Sequence, residues 1–139
     1  MKKLFVMLCV ILSISFTSFA SSWYWIGADS AGDQWYVDNE NVYTHLLTYQ
    51  EVSGNRYAYQ HGMAPLYHVY KIVWIRIDNA DGTYSRQRIR VQRNKKMAVL
   101  SYVNYDSNEN VVDAYTFNFP EETDIIPDSM GEALYESVF

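Results

Sequence analysis

Three arginines at alternate positions, Arg86, Arg88 and Arg90, are the residues whose type and spacing most directly suggest chemistry. A guanidinium stays charged in proteins and offers five donors in a planar fork. It therefore holds carboxylates, sulfates or phosphates but does not serve as an acid or base. A spacing of two puts all three on one face of a strand. They belong to a larger concentration of charge. Of the nine cations beyond residue 20, seven lie between residues 76 and 96: Arg76, Arg86, Arg88, Arg90, Arg93, Lys95 and Lys96. From Asp106 onward there are nine acids and no lysine or arginine. Such a strip reads as a surface for an acidic partner, a sulfated glycan or an acidic protein loop. The simpler account is a wet strand face, its arginines solvated or paired with acids of the C-terminal segment.

Aromatic density is the second feature. Tyr43, Tyr49, Tyr57, Tyr59, Tyr67 and Tyr70 cluster around a segment rich in glycine and polar residues. Tyrosine brings contact area at low entropic cost and suits binding surfaces. Cross-strand packing accounts for much of the cluster. Tyr57 and Tyr59, flanked by Gly54 and Gly62, are the two expected at the surface. The candidate partner-binding residues are thus Tyr57, Tyr59, Arg86, Arg88 and Arg90.

Catalytic and metal patterns are not found. His45, His61 and His68 form no H-x-H or H-E-x-x-H spacing. No G-x-S-x-G nucleophile elbow occurs, and no serine stands in a strand-turn-helix context. The carboxylates lie mostly in turns, and nothing selects a pair for glycoside hydrolysis. Gly27 and Gly32 are too far apart for a phosphate loop, and no helix follows them. The expectation is no metal, no cofactor and no catalysis.

The elements that must position these groups are mostly strands. Short apolar runs cover residues 23–26, 34–37 and 42–49. A loop follows at 52–65, then the longest apolar strand at 66–77. Asp81-Gly82 is a strong hairpin signal before the alternating segment 84–93. Strands at 97–105 and 111–119 follow, separated by a polar turn at 106–110. Strands recurring every ~10 residues between turn signals read as an antiparallel meander. The C-terminus changes period. Met130, Leu134 and Val138 fall on one helical face, and Ser129 with Glu132 makes an S-x-x-E capping box. A short helix with one apolar face must cover the sheet. The chain is thus expected to be α+β: a single antiparallel sheet of about six strands with a C-terminal helix packed on one face.

The first twenty residues read as a secretory signal peptide. Lys2 and Lys3 supply the positive end, residues 4–16 the apolar run, and Ser18-Phe19-Ala20 the small-x-small cleavage pattern. The run is shorter than the ~20 residues of a membrane span. Residues 21–139 are then one exported domain, periplasmic, surface-bound or secreted, with no stable membrane insertion. The only cysteine, Cys9, lies in the leader, and Leu8 before it does not fit a lipoprotein site. The net charge of −5 loses Lys2 and Lys3 with the leader and becomes −7. A negative chain is a poor candidate for nucleic acid, which needs basic patches. Without a thiol, the domain must hold itself together by apolar packing.

Several stretches together resemble the surface-adhesin E family of small exported bacterial proteins. They are Trp23 with Ile26-Gly27, Trp35-Tyr36-Val37-Asp38 with Val42, Val73-Trp74-Ile75, and Tyr105-Asp106 leading to Asn110-Val111-Val112. The last is Ile126-Pro127-Asp128-Ser129 with Glu132-Ala133-Leu134-Tyr135. The resemblance runs over nearly all of the mature chain. It implies one sheet of about six strands with the C-terminal helix across a face. It also implies adhesion to host extracellular proteins, and some relatives bind haem. Two departures stand out. The resemblance implies cysteines in the strand near Gln92 and at the extreme C-terminus, where Gln92 or a neighbour and Phe139 stand instead, so Leu134, Val138 and Phe139 are expected to dock the helix without a bridge. The segment 44–65 is also longer than usual. The expected function is an exported, non-enzymatic binder of an extracellular protein or glycan. The alternatives are a small-ligand carrier, for example of haem, with an apolar pocket between sheet and helix, and an envelope enzyme or enzyme inhibitor.

Overall fold

The computed structural model describes residues 22–45, 61 and 69–139. Within them the chain is mostly antiparallel sheet with one C-terminal helix, as expected. The strands are β1 (Trp23–Ala28), β2 (Gln34–Asp38), β3 (Tyr43–His45) and β4 (Tyr70–Asp78), then β5 (Tyr84–Gln92), β6 (Lys96–Tyr105), β7 (Val111–Thr116) and β8 (Thr123–Asp124). The helix α1 spans Met130–Val138. Six strands run in the order β1-β2-β4-β5-β6-β7, while β3 pairs with β4 and β8 with β6. The two-residue β8 is an element that the sequence pattern does not reveal; the rest of the expected strand at 42–49, beyond β3, lies outside the described residues.

The hairpins explain why strand boundaries are so regular. Three loops share one hydrogen-bonding scheme. Asp29 N–H donates to the Asp33 carbonyl and Gly32 N–H to that of Asp29. Asn79 and Gly82 repeat this with Thr83, and Asp106 and Glu109 with Asn110. The fourth residue of each loop takes a positive φ: +86° at Gly32, +87° at Gly82 and +66° at Glu109. Glycine accepts that conformation without steric cost, whereas glutamate does not. The Asp106 carboxylate holds the third loop by accepting from Asn108 N–H, Asn110 N–H and the Asn110 amide.

The core lies on one face of the sheet. Val73, Ile75 and Ile77 of β4 alternate inward, flanked by Val37 of β2 and by Ile89 and Val91 of β5. Leu134 and Val138 of α1 close this core from above, with Ile125 beside them. Full burial of a side chain of this size stabilises by about 1.5–3 kcal/mol, so the helix owes its place to this contact. Ser129 caps α1, its Oγ accepting from Glu132 N–H. The return bond differs from the expected box, because Glu132 accepts from Asp128 N–H, one residue earlier. Asp128 sits at φ +59°, and that turn carries its N–H to the glutamate.

The helix end is held by polar contacts as well. Lys71 donates through Nζ to the Val138 carbonyl, and Tyr135 donates to the Arg93 carbonyl at 3.2 Å. Phe139 contributes less to docking than expected. It remains 43% exposed, in ring contact with Tyr135 and below the Lys71 ammonium. With Cys9 as the chain's single cysteine, no internal disulfide joins helix and sheet. Among the described residues no helix is long and apolar enough to cross a membrane.

Candidate partner-binding face

The face of the sheet opposite α1 is set by alternation. On β4 the residues between the inward Val73, Ile75 and Ile77 are Trp74 and Arg76. The β4–β5 register then places Trp74 opposite Arg88, Arg76 opposite Arg86 and Ile72 opposite Arg90. On the next strand Ser101 stands opposite Arg88, Val103 opposite Arg86 and Tyr105 opposite Tyr84. Trp23 of β1 and Asp38 of β2 form a facing pair at the other side. The result is a surface of guanidinium groups and aromatic rings.

Arginines opposite one another repel, and this face compensates in two ways. Carboxylates neutralise some of them: Arg76 pairs with Asp78 at 2.5 Å, and Arg90 with Glu122 at 2.8 Å. Gln92, 97% buried, donates to the same Glu122. Rings shield Arg86 and add to the pairing of Arg76. Arg76 lies 4.3 Å from the Tyr84 ring centre, and Arg86 lies 5.8 Å from Trp23, 5.8 Å from Tyr84 and 5.4 Å from Tyr105. A cation over an aromatic face is attracted by the ring quadrupole. Tyr84 and Tyr105 themselves stack at 4.5 Å.

The two accounts of the arginine strip therefore divide it. Arg90 pairs with Glu122, and Lys95 and Lys96 pair with Glu132 and Asp124, all acids of the C-terminal segment. Among the described residues Arg86 and Arg88 have no carboxylate partner. Arg86 Nε is buried and lacks an acceptor. Tyr57 and Tyr59 lie outside the described residues.

A cavity of about 210 Å³ opens beside Arg86, lined by Trp23, Asp38, Trp74, Arg86, Val103 and Tyr105. Asp38 is 3% exposed and its oxygens accept from Asn41 N–H at 3.3 Å and from the Asn41 amide at 2.9 Å. Trp23, Trp74, Asp38 and Tyr105 were not singled out as site residues by sequence. The alternation that puts the arginines on one face of β5 was visible, but the strand order that brings these four residues beside them was not.

A second concavity, of about 770 Å³, lies between the helix N-terminus, the β1–β2 loop and β8. Trp35, Met97, Ile125, Ile126 and Met130 supply its apolar lining, and among the described residues its charged groups are Asp29, Asp124 and Asp128. The Asp29 carboxylate accepts from Trp35 Nε1 at 3.1 Å and from the N–H groups of Ala31 and Asp33. Among the described residues no group of three or more His, Cys, Asp or Glu side chains is placed to hold a metal ion.

The turn carboxylates make the fold sensitive to acid. The Trp35 indole holds the Asp29 carboxyl below its ordinary value, and Thr83 does the same for Asp81. The Asn110 amide lowers Asp106, and the Asp128 N–H lowers Glu132. A carboxyl whose affinity for protons falls on folding adds stability above its unfolded pKa, and this is lost as pH drops through the folded value. Thermal melts should thus be level near neutrality and fall below about pH 4, the ordinary Asp and Glu range. Asp106→Asn should flatten part of that fall; an unchanged profile would remove these turns as its cause.

Comparison with protein-family models, with curated proteins and with solved structures finds no match to this chain.

Proposed function

We propose that the chain is an exported, non-enzymatic binding protein that recognises an acidic segment of an extracellular protein through the outer face of its sheet. The observation that carries this reading is that, among the described residues, Arg86 and Arg88 stand without carboxylate partners, Arg86 among Trp23, Tyr84 and Tyr105 and Arg88 opposite Trp74. Tryptophan, tyrosine and arginine are the residues enriched where binding energy concentrates. They hold ligands, and arginine supplies no general base. The leader pattern and the resemblance to the surface-adhesin E family support export and adhesion. A heavily sulfated glycan is a weaker match, because it needs several free cations and most of this strip is already paired.

Immobilised extracellular-matrix proteins, screened at low and high salt, test the reading. The double variant Arg86→Ala with Arg88→Ala should weaken binding by about 2 kcal/mol or more, and added salt should mimic part of the loss. Binding that ignores both changes would count against the arginine face.

The second reading, a small-ligand carrier, is favoured by the concavity between sheet and helix. Its carboxylates oppose the propionates of haem. A haem titration followed by absorbance should therefore give no Soret shift, and a saturable shift would turn the assignment towards a carrier.

A further inference from the structure

We propose that the cavity beside Arg86 is a receptor for one carboxylate side chain, an aspartate or glutamate of an acidic peptide segment. The inference rests on the binding reading above and specifies its chemistry. At about 210 Å³ the cavity falls below the roughly 300–1,000 Å³ typical of sites that hold whole small molecules. It suits the end of one side chain.

Three observations identify that end. First, Arg86 Nε is a buried donor without an acceptor among the described residues. Such a group is costly to leave unpaired, and an oxygen that gains access to it from the cavity as the side chains around it shift removes the penalty. Arg90 Nε is also unpaired, but Arg90 has already bonded Glu122 through Nη2. Second, the guanidinium lies among three rings, those of Trp23, Tyr84 and Tyr105. Rings displace water and strengthen a charge-assisted hydrogen bond made there. The planar fork of arginine matches a carboxylate with two parallel bonds.

Third, the local charges set how much negative charge is accepted. In the cavity wall Arg86 and Asp38 bring one charge of each sign, and Arg88, outside the wall and opposite Trp74, adds a second positive charge. The salt-bridged Arg76 and Asp78 cancel each other. One carboxylate closes this balance. A phosphate dianion exceeds it and meets Asp38, whose position against Asn41 is fixed by two hydrogen bonds.

The test is an NMR titration of the intact protein, following the Arg86 Nε–H and the indole N–H signals of Trp23 and Trp74. The probes are the α-amide of N-acetylaspartate, its asparagine counterpart, glucuronic acid and inorganic phosphate, at constant ionic strength. The aspartate derivative should give saturable shifts, the asparagine derivative none, and phosphate should bind about tenfold or more weakly. Arg86→Gln should abolish the shifts. Arg86→Lys keeps the charge and removes the fork, so a folded Arg86→Lys protein should bind less well than wild type. Equal response to the aspartate and asparagine derivatives, or full binding by Arg86→Lys, would overturn the proposal. So would binding of glucuronic acid alone, which would make the occupant a sugar acid. The broader reading fails separately. Aspartate binding together with an empty extracellular-matrix screen leaves the receptor standing without that partner. A matrix partner that ignores Arg86→Gln removes the receptor and leaves the face.

Discussion

Leu134→Ala should lower stability by about 2–5 kcal/mol, read as a shift in the urea midpoint. Leu134 is fully buried and is the central contact between α1 and the sheet core. The helix has nine residues, fewer than the roughly 12–15 at which an isolated helix becomes even marginally stable. It also contains Gly131, which costs about 1 kcal/mol relative to alanine in a helix interior. That glycine has a packing reason: a Cβ there would meet Met97 Sδ at 3.3 Å and Ser129 Oγ at 3.3 Å. The helix thus exists because it is docked, and no disulfide holds it if the packing fails. Removing Leu134 empties the contact that docks it. Glu136→Ala, at an exposed position on the same helix, should stay within about 0.5 kcal/mol. Equal losses from the two variants would show that α1 is not held by its apolar face.

Asp38→Ala should cost about 1–3 kcal/mol and should also change the cavity beside Arg86. The Asp38 carboxylate, at 3% exposure, is the acceptor for both the backbone N–H and the side-chain amide of Asn41. Alanine leaves both donors to find water at the end of β2. Asp38→Asn keeps the shape and one acceptor oxygen, so its loss should be smaller. The two properties then separate. Either variant removes a negative charge from the cavity wall, so each should bind the aspartate derivative more tightly than wild type while being less stable. A variant that loses stability and affinity together would show that Asp38 supports the site by position and not by charge.

Much of the fold was legible because it is local. Asp81-Gly82 announced its hairpin, since glycine accepts the positive φ that the loop requires. The loop at 106–110 was found from its polar run, although Glu109 takes the same positive φ without being glycine. The alternation of Arg86, Arg88 and Arg90 against Gln87, Ile89 and Val91 assigned the two faces of β5 correctly, because strand periodicity is a property of the backbone. The position of α1 followed from its apolar stripe and Ser129. What escaped was β8, two residues with no pattern of their own, which pair with β6 only because the chain returns past it.

The candidate site was legible by residue type and not by membership. Arg86, Arg88 and Arg90 are alike in sequence, and nothing local says that Arg90 meets an acid 32 positions later while Arg86 meets rings. Trp23 and Tyr105 reach Arg86 from strands far apart along the chain. The sequence alone determined the α+β class, the hairpin turns, the arginine face and the capped helix, because each depends on backbone geometry and side-chain period within a few residues. Only the tertiary structure decided which arginines, among the described residues, stay without a carboxylate and which groups wall Arg86. That outcome depends on strand order and register, where burial and charge pairing between distant residues outweigh any local preference.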